Sequence, residues 1–174
     1  MKKLACLLAA IWLACGHASF ADEFQKVKCG SDIPKAIIGQ HSSSEKVVKT
    51  EAKHRALGLK HLGADEVSNQ LSSINYLICG AEFVLLVDRK DIVRDVIAFP
   101  SHSKKSPAFS GVCQVNGRDL PDVFVGVLNG EGAGDMLPVL SAWKIDQRGA
   151  KFVKISGDGL RCSRSGIYTV DGGM

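Results

Sequence analysis

Residues 74–99 read Ile74-Asn75-Tyr76-Leu77-Ile78-Cys79-Gly80-Ala81-Glu82-Phe83-Val84-Leu85-Leu86-Val87-Asp88-Arg89-Lys90-Asp91-Ile92-Val93-Arg94-Asp95-Val96-Ile97-Ala98-Phe99. Residues 74–79 and 83–87 are rich in side chains that fit a pleated surface. The run Phe83-Val84-Leu85-Leu86-Val87 is apolar on both faces, which predicts a central strand. Asp88-Arg89-Lys90-Asp91 predicts a turn, and residues 92–99 the returning strand. In this reading Asp88 and Asp91 are turn residues. Glu82 and Asp95 make a cross-strand pair with basic neighbours such as Arg94.

Strand signals continue towards the C-terminus. Residues 100–107 form a polar loop with a proline at each end, and residues 122–128 are strongly β-favouring. Residues 139–145 and 152–155 flank Asp146-Gln147-Arg148-Gly149, a hairpin turn. Residues 167–170 predict a last short strand, and residues 171–174 a frayed tail. Towards the N-terminus, residues 32–39 fit a short helix or a strand, since Pro34 and Gly39 punctuate either. Ser42-Ser43-Ser44 reads as a loop that caps the next segment. Residues 45–57 carry Val48, Ala52 and Ala56 at helical spacing, yet Lys46-Val47-Val48 equally opens a strand. Residues 64–71 predict a short helix, with Asp65 and Glu66 favourable in its first turn. The expected fold is mainly β (α+β): antiparallel sheet with a minor helical part near the N-terminus.

The first 21 residues have the layout of a secretory signal. Lys2 and Lys3 precede an apolar run at residues 4–13; Ser19-Phe20-Ala21 offers small residues at the cut, and Asp22-Glu23 come next. The run is too short to span a bilayer, which takes about 20 residues, and no later segment is apolar for long enough. The expectation is a periplasmic or secreted chain of residues 22–174, a single disulfide-stapled domain. Leu13-Ala14-Cys15-Gly16 also resembles part of a bacterial lipobox, with Trp12 where leucine is usual, so lipid anchorage through Cys15 is the alternative.

Removing Lys2 and Lys3 from the 22 basic residues leaves 20 against 18 acidic ones, a net charge of +2. That balance argues against nucleic acid or an anionic membrane surface as partner. Six cysteines become four, Cys29, Cys79, Cys113 and Cys162, once Cys6 and Cys15 leave with the signal. In an exported chain these read as two disulfides with three connectivities, and their wide spacing is unlike a zinc site.

Two stretches match one another. Asp32-Ile33-Pro34-Lys35-Ala36-Ile37-Ile38-Gly39 comes after Cys29, and Asp119-Leu120-Pro121-Asp122-Val123-Phe124-Val125-Gly126 comes after Cys113. Cys79 leads to Val87-Asp88 as Cys162 leads to Val170-Asp171. Residues 29–88 and 113–171 are thus candidate pseudo-repeats, and one bridge per half pairs Cys29 with Cys79 and Cys113 with Cys162. Residues 91–108 have no counterpart.

No catalytic constellation, metal site or cofactor is expected. Gly130-Glu131-Gly132-Ala133-Gly134-Asp135 lacks the helix that a phosphate loop needs, and Glu131 and Asp135 would repel phosphate. Those same oxygens suit calcium, but the EF-hand pattern is missing. His41, His54, His61 and His102 survive processing, and no G-x-S-x-G accompanies them. His54 and His61 share a face only if one helix runs through Gly58.

Ser165-Gly166-Ile167-Tyr168 is similar to the short SGxY element that some periplasmic lysozyme inhibitors present to the enzyme's active-site cleft. The likeness covers four residues, and the rest of the chain does not align with that family. It implies an interaction loop at Ser165, Gly166 and Tyr168; read without it, Ser165-Gly166 is a turn and Tyr168 a strand residue. The expected function is a non-enzymatic binding protein, of inhibitor or immunity type among other forms, acting on a protein or cell-envelope component. The alternatives are a small envelope hydrolase built from distant residues, for example His102 with an acid from the Glu82–Asp95 hairpin, and a structural envelope component.

Overall fold

A computed structural model of the chain describes residues 24–42 and 47–168. The signal-like segment, residues 43–46, and the end of the expected last strand with the tail lie outside the described residues. The fold is mainly β, with two antiparallel sheets of four and seven strands.

Two short helices come first. In α1 (Ile33–Ile37) the Asp32 carboxylate accepts the Lys35 N–H at 3.1 Å, Pro34 sits in the first turn, and Ile33 and Ile37 are buried. This is ordinary N-capping with proline where no N–H is needed. Helix α2 (Val47–Lys53) buries none of its residues, and Val48 is 79% exposed. A 3₁₀ turn at Arg55–Leu57 comes next, and Gly58 ends it in a left-handed conformation. His54 and His61 therefore do not share a helix.

The four-stranded sheet is a meander, β1 (Lys60–Ser68), β2 (Leu71–Ile78), β3 (Ala81–Asp88) and β4 (Val93–Ala98), paired in that order. The helix expected at residues 64–71 is instead the end of β1, a turn and the start of β2, with Ala64 opposite Ile74 and Glu66 opposite Ser72. Pairing with β2 and the packing of Val67 into a core outweigh the local helix signal. Between β2 and β3, Cys79 and Gly80 both have positive φ (54° and 79°), a two-residue turn whose twist suits a hairpin. Every residue from Phe83 to Val87 is buried, so β3 is the central strand that its composition predicts.

Even-numbered residues of β2 and odd-numbered residues of β3 face one core. Ile74, Tyr76, Ile78, Phe83, Leu85 and Val87 pack there against Phe24, Val27, Ile33 and Ile37. The opposite face carries Leu71, Val84 and Leu86, which with Phe99 meet Ala108, Val125, Val127 and Ile145 of the second sheet.

The second sheet contains β5 (Ala108–Gly111), β6 (Cys113–Val115), β7 (Arg118–Asp119), β8 (Phe124–Leu128), β9 (Met136–Asp146), β10 (Lys151–Ile155) and β11 (Leu160–Ser163). The path β5-β8-β9-β11-β6 begins and ends on one run, residues 108–115, interrupted only at Val112. That run pairs with β8 along one edge and with β11 along the other. The second edge is extended by Ser163 N–H to Val112 O (3.1 Å), a Phe109–Ile167 bridge, and Tyr168 N–H to Ala108 O (3.3 Å). The strands thus close a ring. Phe124 and Leu128 point inward, to Phe109, Leu137, Ala142 and Leu160, while Val125 and Val127 point outward to the meander.

Both bridges form within a half of the chain: Cys29–Cys79 and Cys113–Cys162, with sequence separations of 50 and 49. Cys113 and Cys162 stand opposite each other on β6 and β11, inside the ring. The matched D-[IL]-P segments differ in conformation. The first is α1; the second is the end of β7, a bend and the start of β8.

Asp95 joins the sheets at their edges. Its Oδ1 accepts the Val96 N–H (2.9 Å) and its Oδ2 the Phe152 N–H of β10 (2.8 Å). It faces Leu86 in the register and not Glu82. An inward carboxylate on β4 thereby occupies an edge that would otherwise be open to another strand.

Candidate functional site

The densest set of chemically capable side chains lies between the meander and the ring. Glu82 is the second residue of β3. After β4, Phe99 N–H bonds to Glu82 O (2.8 Å), which brings the chain back over β3 and places His102 on the Glu82 side chain. His102 Nε2 and Glu82 Oε2 share a hydrogen bond of 2.7 Å, with the two side chains 19% and 9% exposed. The His102 ring meets Phe99 edge-on at 5.9 Å. Ser103 and Ser106 cross-bond through backbone and hydroxyls and fix the loop.

Tyr168 enters the same cluster from the C-terminal side. Its hydroxyl is buried without a bond of good geometry, as is Glu82 Oε1. Loss of water raises the Tyr168 pKa above its ordinary value; the Glu82 charge adds to this, and the Asn75 side chain opposes it. A carboxylate on an imidazole is two-thirds of a nucleophilic triad. Here, however, the neighbouring polar groups are a phenol and a buried amide, and the Ser103 hydroxyl is bonded to Ser106.

The SGxY residues do not form one presented surface. Ser165 is exposed and its Oγ bonds Ser163 Oγ at 2.7 Å. Gly166 lies flat on β5: a Cβ there would overlap the Ser110 carbonyl oxygen. Tyr168 points into the interior.

Arg164, just before them, anchors the glycine-rich loop. Its Nε donates to Gly134 O (3.2 Å), its Nη2 to Gly132 O (2.8 Å), and its N–H to Asp135 O (2.7 Å). The guanidinium thus holds two carbonyls of the glycine-rich loop and the backbone N–H a third. Among the described residues no group of three or more His, Cys, Asp or Glu is placed to hold a metal ion.

A shallow hollow of about 150 Å³ lies at the far end of the meander, lined by Ala64, Asp65, Glu66, Ser72, Ile74, Val87, Asp88 and Asp91. Its lining is mainly polar, with the carboxylates of Asp65, Glu66, Asp88 and Asp91 beside Ser72. Asp88 is already committed, accepting the Lys90 N–H (2.8 Å), the Ile92 N–H (3.0 Å) and the Arg94 guanidinium. Burial raises its pKa, but the bonds from Ile92, Arg94 and Lys90 outweigh this and hold it below the usual value.

Of the remaining histidines, two make ring contacts and one faces a carboxylate. His54 meets Phe24 at 5.6 Å and His61 meets Tyr76 at 5.2 Å, both edge-on. Burial lowers the His61 pKa, opposed by the charge of Glu51, whose carboxylate accepts the His61 backbone N–H at 2.7 Å. His41 faces Asp91 at 3.7 Å.

The structure brings Glu82 and His102 together, as the hydrolase alternative requires, and separates Asp95 from them. Asn75 and Tyr168 complete the cluster, and neither is legible as its member from sequence spacing. Compared with protein-family models, curated proteins and solved structures, the chain has no match.

Proposed function

We propose that this is an exported binding protein that acts on a protein or cell-envelope partner, with an inhibitor or immunity type as one form. The placement of the Glu82–His102 pair carries this reading. It is largely buried between two sheets against Tyr168 and Phe99, while a surface hollow lined by carboxylates lies elsewhere. A group committed to holding layers together is poorly placed to reach a substrate. The two disulfides fit folding in an oxidising compartment, and the signal-like start of the sequence supports export. The rival reading, an envelope hydrolase, is favoured by the 2.7 Å His102–Glu82 contact.

The test is capture of partners from envelope and culture extracts by the purified chain, then reconstitution from pure components. The expected result is one partner bound in a fixed ratio, with unchanged affinity in His102→Gln. Turnover of an envelope component that disappears in a folded His102→Gln variant would overturn the proposal in favour of the hydrolase.

A further inference from the structure

The two disulfides close loops of nearly equal size, with separations of 50 and 49 residues, so loop entropy does not distinguish them. Their surroundings do. Cys113 and Cys162 are 1% and 0% exposed, within the ring core. Cys29 is exposed, in the segment that leads into α1. Cys79 is half-buried against the first core and sits in the β2–β3 turn at φ 54°, a conformation that a non-glycine residue adopts at some cost. Its N–H is held separately by Leu57 O at 2.7 Å, so the turn has an anchor besides the bridge.

Exchange needs an attacking thiolate to reach one sulfur in line with the bond, and access sets the rate when the attacking thiol is the same. The geometry points to the Cys29–Cys79 bridge as a thiol-exchange site, addressed at Cys29, for an external dithiol or glutathione-like thiol. The attacking thiolate forms a bond to Cys29 Sγ as the Cys29–Cys79 bond breaks. The electron pair leaves on Cys79 Sγ, which takes a proton from water. A second thiol then attacks the external sulfur of the mixed disulfide and releases Cys29 as a thiol. The protein bridge gains two electrons and two protons, and the dithiol becomes a disulfide. Opening frees residues 24–31 from their covalent tie to the meander. Phe24 and Val27 then hold that segment only by packing. The ring keeps its own bridge.

The experiment treats the folded chain with reduced glutathione or dithiothreitol under native conditions. Samples are quenched in acid, alkylated and mapped by mass spectrometry, with far-ultraviolet circular dichroism recorded in parallel. Cys29 and Cys79 are expected to open at least about a hundredfold faster than Cys113 and Cys162, because the buried pair waits for the ring to open. The sheet signal is expected to stay constant, and the trapped glutathione adduct to sit on Cys29. Equal rates, earlier opening of Cys113–Cys162, an adduct on Cys79, or loss of the sheet signal together with the first bridge would each overturn the assignment.

Discussion

Gly166→Ala tests how the ring is closed. A Cβ at this position overlaps the Ser110 carbonyl oxygen, and stands 3.1 Å from the Ser110 carbon and 3.6 Å from the Gly111 Cα. All three are backbone atoms, so none can swing aside as a side-chain tip would. The 3₁₀ turn at Arg164–Gly166 must therefore lift away from β5. Lifting breaks the contact just beyond it, the Phe109–Ile167 bridge with its Tyr168 N–H bond to Ala108 O. One backbone hydrogen bond at about 1 kcal/mol, with about 1 kcal/mol of residual strain, gives a loss of about 2 kcal/mol. For a domain of this size that corresponds to a Tm lower by roughly 4–8 °C. Urea and thermal unfolding monitored by circular dichroism measure both quantities. Ser165→Ala is the control, since an exposed serine should change stability by no more than about 0.5 kcal/mol. If Gly166→Ala also stays within about 0.5 kcal/mol of the parent, the close-approach argument is wrong, and the glycine is free for another role.

Tyr168→Phe removes a buried hydroxyl that lacks a well-formed bond, so the variant should unfold at the same urea concentration or be up to about 1 kcal/mol more stable. A loss of about 2 kcal/mol would instead reveal a true bond to Glu82. Burial depresses the His61 pKa in the folded chain, so below the ordinary value of 6.5 the unfolded chain binds more protons. Stability is then fully present above pH 6.5 and declines as pH falls through the window beneath it; His61→Phe should flatten the urea midpoint between pH 7 and pH 5. Asp95→Ala strands the Val96 and Phe152 N–H groups and should cost about 2 kcal/mol, with Asp95→Asn costing about half as much because one acceptor remains. Unchanged urea midpoints in both Asp95 variants would mean that the edge contact contributes nothing.

Strands β2 and β3 were legible because they carry buried residues on both faces. Phe83–Val87 and the turn at Asp88 carry enough apolar contrast to be read directly. The segment around Asp65 and Glu66 misled for a local reason. Two acids ahead of an apolar residue resemble the first turn of a helix, whereas their partners, Ser72 and Ser73 on β2, are declared only by tertiary pairing. Strands β5, β6 and β11 were illegible for a different reason. They are short and include Ser110, Gly111, Gln114, Arg161 and Ser163. Their hold on the sheet comes from ring closure and a bridged cysteine pair, not from β-favouring composition. In the polar cluster, Glu82 and His102 could be named as candidates because each is a chemically capable residue near a predicted turn or loop. Tyr168 was legible only as part of a four-residue likeness, and its burial stems from the ring, which no local pattern announces.

Ring closure by residues 160–168 also has a kinetic side. The run 108–115 must wait for partners some fifty positions further along the chain before its second edge is covered. Such long sequence separations slow folding, because chain entropy is lost before the contacts that compensate it can form. The meander has nearest-neighbour hairpins and can assemble as soon as residue 99 is available. During synthesis every strand of the meander is therefore available before residues 160–168 can close the ring. Whatever handles the chain at that stage meets Val125 and Val127 before the ring is complete.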